Sequence, residues 1–494
     1  MNVRDLSALS AALLMTILAL TGCRRPEPAA PPPPPGTPNI LILFTDDQRA
    51  DAIGAYDNPA IRTPTMDSLI GTGFSFRRNY VMGSHHGAVC APSRAMLMSG
   101  RSLFNVYDNL DTVATYPEMM RGRGYTTFGT GKWHNSQASF ARSFSVGRRV
   151  FFGGMADHFK VPVRDLKPDG TYTDPDTMSF SAELYADAAI DFLAAQSGSD
   201  TPFLAYVAFS TPHDPRTPPG PYAEMYPPDA VPLPANFMPA HPFHNGWLTG
   251  RDEQLAAWPR TESVIRAQLA EYYGLVTHTD AQIGRILAAL RRAGKADNTL
   301  VVFAADNGLA LGSHGLLGKQ SLYEHSSRVP LVFAGPGIPH GETDAYTYLY
   351  DIFPTLVRRL GLPTVEGSEG VDLAPLWRGE EGAVRPSLFT TYEDLMRSVH
   401  EGDWKLIRYP KLHYNQLFNL AADPNELNNL AESPDQAERV AHLMELLADW
   451  QQRAHDPHPL TSEERMPMEY DYRTFTRSPD RWQPESVRKK YFGE

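Results

Sequence analysis

The segment Cys90-Ala91-Pro92-Ser93-Arg94 holds one of only two cysteines in the chain, beside residues that suit chemistry. Pro92 fits the first turn of a helix and Gly100 fits its stop, so the spacing predicts a helix that opens at the cysteine. The free N–H groups at a helix start favour an anion. Arg94, roughly one turn along, adds a charge-assisted contact to the side chain at position 90 or to its ligands. A bare thiolate in such a setting is a possible nucleophile. Elsewhere Asp46, Asp47, Asp306 and Asn307 offer three carboxylates and an amide oxygen, a hard donor set that suits Ca²⁺ or Mg²⁺ better than zinc. A hard cation beside a soft thiolate is a poor match. The working side chain at position 90 is therefore expected to carry oxygen.

Four apolar runs would position these groups. Asn39 to Phe44 is continuously apolar after its first residue, as in a parallel strand buried on both faces, and it stops at Thr45-Asp46-Asp47. Thr299 to Ala305 stops in the same way at Asp306-Asn307-Gly308. Pro202 to Phe209 runs into Ser210-Thr211-Pro212-His213-Asp214, and a weaker run, Tyr125 to Phe128, leads to Lys132-Trp133-His134. In open α/β sheets ligands bind outside the carboxyl ends of the strands, so these four endings are expected to share one crevice. Plainer uses compete at each position. Asp and Asn favour turns at strand ends, lysines are commonly solvated, and a lone histidine is more often structural. Two acidic pairs after buried strands, together with the cysteine motif, favour a site.

In this order the residues resemble the type I (arylsulfatase-like) sulfatases of the alkaline phosphatase superfamily. The resemblance rests on Cys90-x-Pro-Ser-Arg94, Asn39 to Gln48, Gly131 to His134, Pro212 to Asp214, Asp306 to Gly308 and Gly315 to Lys319. It continues through Tyr323 to Pro330, Leu417 to Leu420 and Asp423 to Leu430. It implies an α/β fold: a large mixed, mostly parallel sheet flanked by helices, with a smaller C-terminal α+β subdomain. It also implies that Cys90 is oxidised to formylglycine by a separate maturation enzyme. Asp46, Asp47, Asp306 and Asn307 would then bind one Ca²⁺ together with the residue at 90. Arg94 and Lys132 would hold the formylglycine hydrate, and His134 would bond its second hydroxyl. His213 and Lys319 would grip the sulfate and help the alcohol leave. One hydroxyl of the hydrate, aided by Asp306, attacks sulfur; the other, deprotonated by His134, releases sulfate as the aldehyde re-forms. Trp133, Asp280, Tyr323 and Arg328 are read as structural despite matching the family, and His85-His86 as a loop pair or pocket lining.

The expected organisation is a lipoprotein signal peptide over 1–22, a Pro-rich tether over 23–37, a catalytic domain over 38–385 and a C-terminal subdomain over 386–494. Leu20-Thr21-Gly22-Cys23 resembles a lipobox, which predicts a lipid on Cys23 and a place in the periplasm or at the cell surface, anchored to a bacterial membrane. With Cys23 lipidated, Cys90 has no disulfide partner. Apolar periodicity predicts helices over Ala267 to Arg292 and Ala437 to Ala454, and a strand over Trp404 to Tyr409. The tail from Thr461 is expected to wrap the body. A formal charge of -12 argues against a nucleic-acid partner. Localisation favours a sulfated polysaccharide or oligosaccharide as substrate, with His158, Lys160, Arg216 and His244 in irregular loops as candidate contacts. A phosphodiesterase or phosphonate monoester hydrolase and a non-catalytic glycan-binding lipoprotein are the alternatives.

Overall fold

The computed structural model describes Pro33, Pro34 and residues 36–494. The expected signal peptide, Cys23 with its expected lipid, and most of the expected tether lie outside those residues.

The apolar runs form the middle of an eight-stranded sheet. Its strands are β1 (Asn39–Asp46), β2 (Phe74–Phe76), β3 (Thr126–Lys132), β4 (Val146–Phe151), β5 (Phe203–Pro212), β6 (Thr299–Ala305), β7 (Leu331–Ala334) and β8 (Gly341–Thr343), in the order β8-β2-β7-β6-β1-β5-β3-β4. From β6 to β4 every neighbouring pair is parallel, whereas β7 runs antiparallel to both β6 and β2. This is the mixed, mostly parallel sheet that was expected. Continuous apolar sequence is required in β1, β5 and β6 because every residue of these strands is buried. Successive side chains point to opposite faces, so Ile40, Ile42 and Phe44 enter one core and Leu41 and Leu43 the other. The first core is covered by α1 (Cys90–Ser99), through Ala95 to Met98. The second is covered by α2 (Ser181–Ala195) and α3 (Glu262–Arg292). Helix α3 begins at Glu262 instead of Ala267, because the side chain of Thr261 accepts from the Val264 N–H and caps a first turn too polar to show periodicity.

The C-terminal sheet is an antiparallel meander of β9 (Ser387–Tyr392), β10 (Met396–Glu401), β11 (Trp404–Tyr409) and β12 (Tyr414–Asn419). Strand β11 and the helix α4 (Ala437–Ala454) have the limits that the sequence predicts. Gly83–Ser84, just before the cysteine motif, adds a fifth, parallel strand beside β9. Gly83 has φ 126°, and a Cβ there would lie 1.6 Å from the Thr391 carbonyl oxygen, so only glycine permits this pairing. Leu388, Val399, Leu406, Leu417 and Leu443 pack into the same core as Ile40 and Phe44, so the small sheet buttresses the large one.

Candidate active site

Strands β6, β1, β5 and β3 are adjacent and parallel, so the residues that follow them emerge side by side. Asp46 ends β1, and Asp47 turns away with φ 62°, a left-handed conformation that aspartate tolerates better than most residues. Asp306 and Asn307 follow β6, and His213 and Asp214 follow β5. Lys132 ends β3 beyond an irregularity at Gly131, where φ is 87° and a Cβ would come within 1.8 Å of the Ala208 carbonyl oxygen. His134 sits two residues on, also left-handed at φ 62°. Two non-glycine residues held this way at one sheet edge mark stored local strain, as functional sites often show.

The charges are arranged in pairs. Lys132 Nζ donates to Asp46 Oδ2. Lys319 Nζ donates to both oxygens of Asp47, at 2.6 and 2.8 Å, and lies 3.1 Å from Cys90 Sγ. Arg94 Nε donates to Asp306 Oδ2 at 2.9 Å, while its Nη1 donates to the Lys132 carbonyl oxygen and the Tyr206 hydroxyl. Three buried carboxylates thus meet three permanent cations, which is what makes their burial tolerable. Two acceptors are left over: Asp46 Oδ1 and Asn307 Oδ1 are buried and receive no hydrogen bond among the described residues. Asp46, Asp47, Cys90 and His213 each bring a ligand-type atom within 4.8 Å of the others, a cluster that could hold a metal ion. His213 joins this cluster while Asp306 is turned onto Arg94.

Protonation follows from the same neighbours. Burial pushes the Asp46 carboxyl up, but Lys132, His213, Arg94 and Lys319 together hold it far below the usual carboxylate range. Burial and the Asp46 charge push the Cys90 thiol above its ordinary value, against the pull of Lys132 and Lys319. The helix start therefore does not make position 90 a thiolate. The two histidines separate. Burial and Lys319 act to lower His213, yet Asp47, Asp214 and Asp46 outweigh them and raise it well above the ordinary value. Burial, Lys132 and Arg94 hold His134 well below its own.

A cavity of about 660 Å³ opens over Cys90, His134, His213 and Lys319. Its walls include Phe151, Phe152, Trp247 and Trp482. Asp46, Asp47, Arg94, Lys132, Asp306 and Asn307 are buried in contact with these groups or with one another. Trp133 is structural as expected: its Nε1 donates to the Ser136 carbonyl and its ring packs on Phe140 and Phe144. Asp280 is structural too, accepting from the Thr65 and Met66 N–H groups at the start of a helix.

The four loop residues expected to touch substrate do not line the cavity. His158 is buried, with its ring nitrogens on Ser181 Oγ and the His213 carbonyl, so it supports the His213 backbone. Arg216 is buried on Gln268, Lys160 is exposed elsewhere, and His244 packs on Tyr470. His85 and His86 bond to the Leu103 carbonyl and Asp108, as loop residues do. Sequence reasoning missed Trp247, Arg251, Asp252 and Trp482, which no motif or periodicity singles out. Arg251 grips both oxygens of Asp214, at 2.6 and 2.5 Å, and Asp214 in turn lies 3.2 Å from His213 Nδ1.

Acidic, cationic and nucleophile-type side chains gathered at the carboxyl edge of an α/β sheet define an enzyme active site, and the family matches place it in the alkaline phosphatase superfamily. Residues 38–362 match the sulfatase family, and residues 312–453 match the C-terminal region of N-sulphoglucosamine sulphohydrolase. The chain belongs to the sulfatase family and is of type I, a sulfuric ester hydrolase. The choline-sulfatase of Rhizobium meliloti is 30% identical over 465 residues, covering 85% of this chain and 88% of that protein. The N-acetylglucosamine-6-O-sulfatase of Bacteroides thetaiotaomicron is 26% identical over 533 residues, covering 90% and 91%. A solved structure of a protein in complex with its substrate D-glucosamine-2-N,6-O-disulfate shares the fold with a TM-score of 0.73 at 22% identity, covering 86% of this chain and 100% of that one.

Proposed function

We propose that this sulfatase hydrolyses sulfate esters of a sulfated carbohydrate, with Cys90 converted to formylglycine and one Ca²⁺ held by Asp46, Asp47, Asp306, Asn307 and the residue at 90. The observation that carries the metal assignment is the pair of buried acceptors without donors, Asp46 Oδ1 and Asn307 Oδ1. A buried unpaired acceptor is costly, and a hard cation is the partner that suits oxygens of this kind. The donor types fit calcium. When bound, Ca²⁺ supplies Lewis-acid activation and alignment of the reacting hydroxyl, and the formylglycine hydrate supplies that hydroxyl and a second one for release of sulfate.

The remaining steps belong to the chain's own side chains. Lys319 and Lys132, with Arg94 behind them, neutralise anionic charge at position 90 and on the bound sulfate, from buried positions that strengthen the attraction. His213, kept protonated by Asp214 and Asp47, donates a proton to the leaving alcohol; Arg251 holds Asp214 in place. His134, kept neutral and with Nδ1 unpartnered, is the base. Two histidines driven apart in this way suit the two halves of acid–base catalysis. The choice of a carbohydrate is supported by the aromatic walls, which suit sugar faces, and by the name of the glucosamine-specific relative. A lipid on Cys23 would keep the enzyme at the periplasm or cell surface; loss of membrane association in a Cys23→Ala variant is the check.

Activity is expected over a broad neutral range. The acid limb should lie well below pH 6.5, where His134 takes up a proton. The basic limb should lie well above it, where His213 loses one. A cation at Asp47 weakens part of the rise in His213 and leaves the part due to Asp214. The pH profile of kcat/KM checks this, and an acid limb near 6.5 would remove His134 as the base. The function itself is tested by side-by-side kinetics of matured protein on sulfate and phosphate or phosphonate esters. Preference for sulfate is expected, and a preference for the phosphorus esters would move the enzyme to the phosphonate or phosphodiester hydrolases.

A further inference from the structure

The tail from Thr461 does more than wrap the body: the stretch from Asp480 to Gln483 forms part of the cavity wall. Two pins fix it there. Gln483 is buried, and its Nε2 donates to Asp214 Oδ2 at 2.8 Å. Asp480 Oδ2 accepts from Arg251 Nε at 2.7 Å, and its Oδ1 accepts from the Trp482 N–H. Between the pins, Arg481 and Trp482 line the cavity, with the Arg481 guanidinium 4.3 Å from the centre of the Trp482 ring. Arg164 lines the same cavity and is steadied by a bond from its Nη1 to the Thr173 carbonyl.

Charge accounting separates these cations from the third guanidinium in the wall. Arg251 is matched by Asp214, Asp252 and Asp480, at 2.5, 2.9 and 2.5 Å, and has no charge left to offer. Neither Arg164 nor Arg481 pairs with a carboxylate among the described residues. In the proposed function Lys319 and His213, which line the cavity, serve the sulfate to be cleaved, with Lys132 and Arg94 buried behind them. Arg164 is half-buried and Arg481 exposed, and two guanidiniums without carboxylate partners in one cavity wall are free to bind a further anion.

We propose that Arg164 and Arg481 form a subsite for a second anionic group, a sulfate or a carboxylate, carried by the alcohol portion of the substrate. The inference rests on the reading of the site as a sulfate ester hydrolase on sugars, and names the substrate class as a sulfated sugar with at least two negative charges. It also makes the C-terminal tail a specificity element.

The test is calorimetric binding to full-length Cys90→Ser protein, which does not depend on turnover. The probes are N-acetylglucosamine 6-sulfate, glucosamine 2-N,6-O-disulfate and a monosulfated hexuronate. The doubly anionic sugars should bind about tenfold or more tightly than the monosulfated one, the worth of one charge-assisted contact. Arg481→Ala or Arg164→Ala should bring that ratio towards one, and Arg481→Lys should keep part of it. The tighter of the two doubly anionic probes identifies sulfate or carboxylate as the second group. Equal affinities, no detectable binding of any probe, or a ratio that survives both alanine substitutions would overturn the subsite. Turnover of N-acetylglucosamine 6-sulfate and of a simple aryl sulfate by matured wild-type protein is measured separately. Turnover of the sugar sulfate with a flat affinity ratio sinks the subsite alone, and a retained ratio without turnover of the sugar sulfate sinks the proposed action on sugar sulfates alone.

Discussion

Cys90→Ser should leave a folded protein whose sulfate ester hydrolysis is reduced more than about 10³-fold, the scale on which loss of a nucleophile acts. Cys90 is 2% exposed, and its sulfur lies 3.1 Å from Lys319 Nζ. A serine oxygen fits the same space and accepts the same bond from Lys319, so no buried hydroxyl is left unpaired and stability should change by about 1 kcal/mol or less. The argument against a thiolate mechanism is electrostatic. Burial and Asp46 raise the thiol, so an unmodified Cys90 stays protonated at neutral pH despite two nearby lysines. Activity should therefore track the fraction of protein whose Cys90 peptide has lost roughly 18 Da, as conversion to formylglycine requires. Protein made without a maturation enzyme should carry intact cysteine and be inert. Near wild-type activity from Cys90→Ser, or full activity from unconverted protein, would sink the formylglycine mechanism.

The sequence was most informative where one physical cause dominates. A strand covered on both faces must be apolar throughout, so β1 and β6 could be read directly, and the polar residues that stop them had to lie at the sheet edge. The types gathered at that edge were legible for the same reason. Their pairing was not: nothing in the spacing says that Lys132 turns onto Asp46, or that Asp306 faces Arg94 while His213 approaches Asp47. The cavity walls were the least legible part. The polar and aromatic stretch 151–160 reads as pocket-forming from its composition, and Phe151 and Phe152 do line the cavity. Which way each loop side chain faces depends on tertiary packing, so His158 turned inward as a support and Arg216 found Gln268. Arg251 and Trp482 reach the site from segments without periodicity, and the tail arrives from nearly 270 residues away in sequence, as the bond between Gln483 and Asp214 shows.

Asp306→Ala should be inactive at any calcium concentration and less stable by about 3–5 kcal/mol, the usual result of breaking a buried ion pair. Asp306 accepts from Arg94, the Asp47 N–H and the Asn307 side chain, and is fully buried. Without it the Arg94 guanidinium keeps only the Lys132 carbonyl and the Tyr206 hydroxyl as close partners, with Asp46 3.8 Å away. Inactivity alone would then not distinguish a lost metal ligand from a disturbed fold. Asn307→Ala separates the two. Asn307 carries no charge and its Oδ1 has no donor, so its removal leaves no buried ion unpaired. The expected cost in metal-free protein is about 1–2 kcal/mol for the lost hydrogen bonds. If Asn307 Oδ1 binds calcium, the rise in Tm on adding Ca²⁺ should shrink strongly in Asn307→Ala and activity should fall with it, at nearly unchanged far-UV circular dichroism. Because Lys132 and Lys319 already compensate Asp46 and Asp47, chelation of the wild-type protein should remove activity and lower Tm without unfolding it. A calcium response in Asn307→Ala equal to wild type would place the metal away from the two orphaned oxygens and overturn the proposed ligand set.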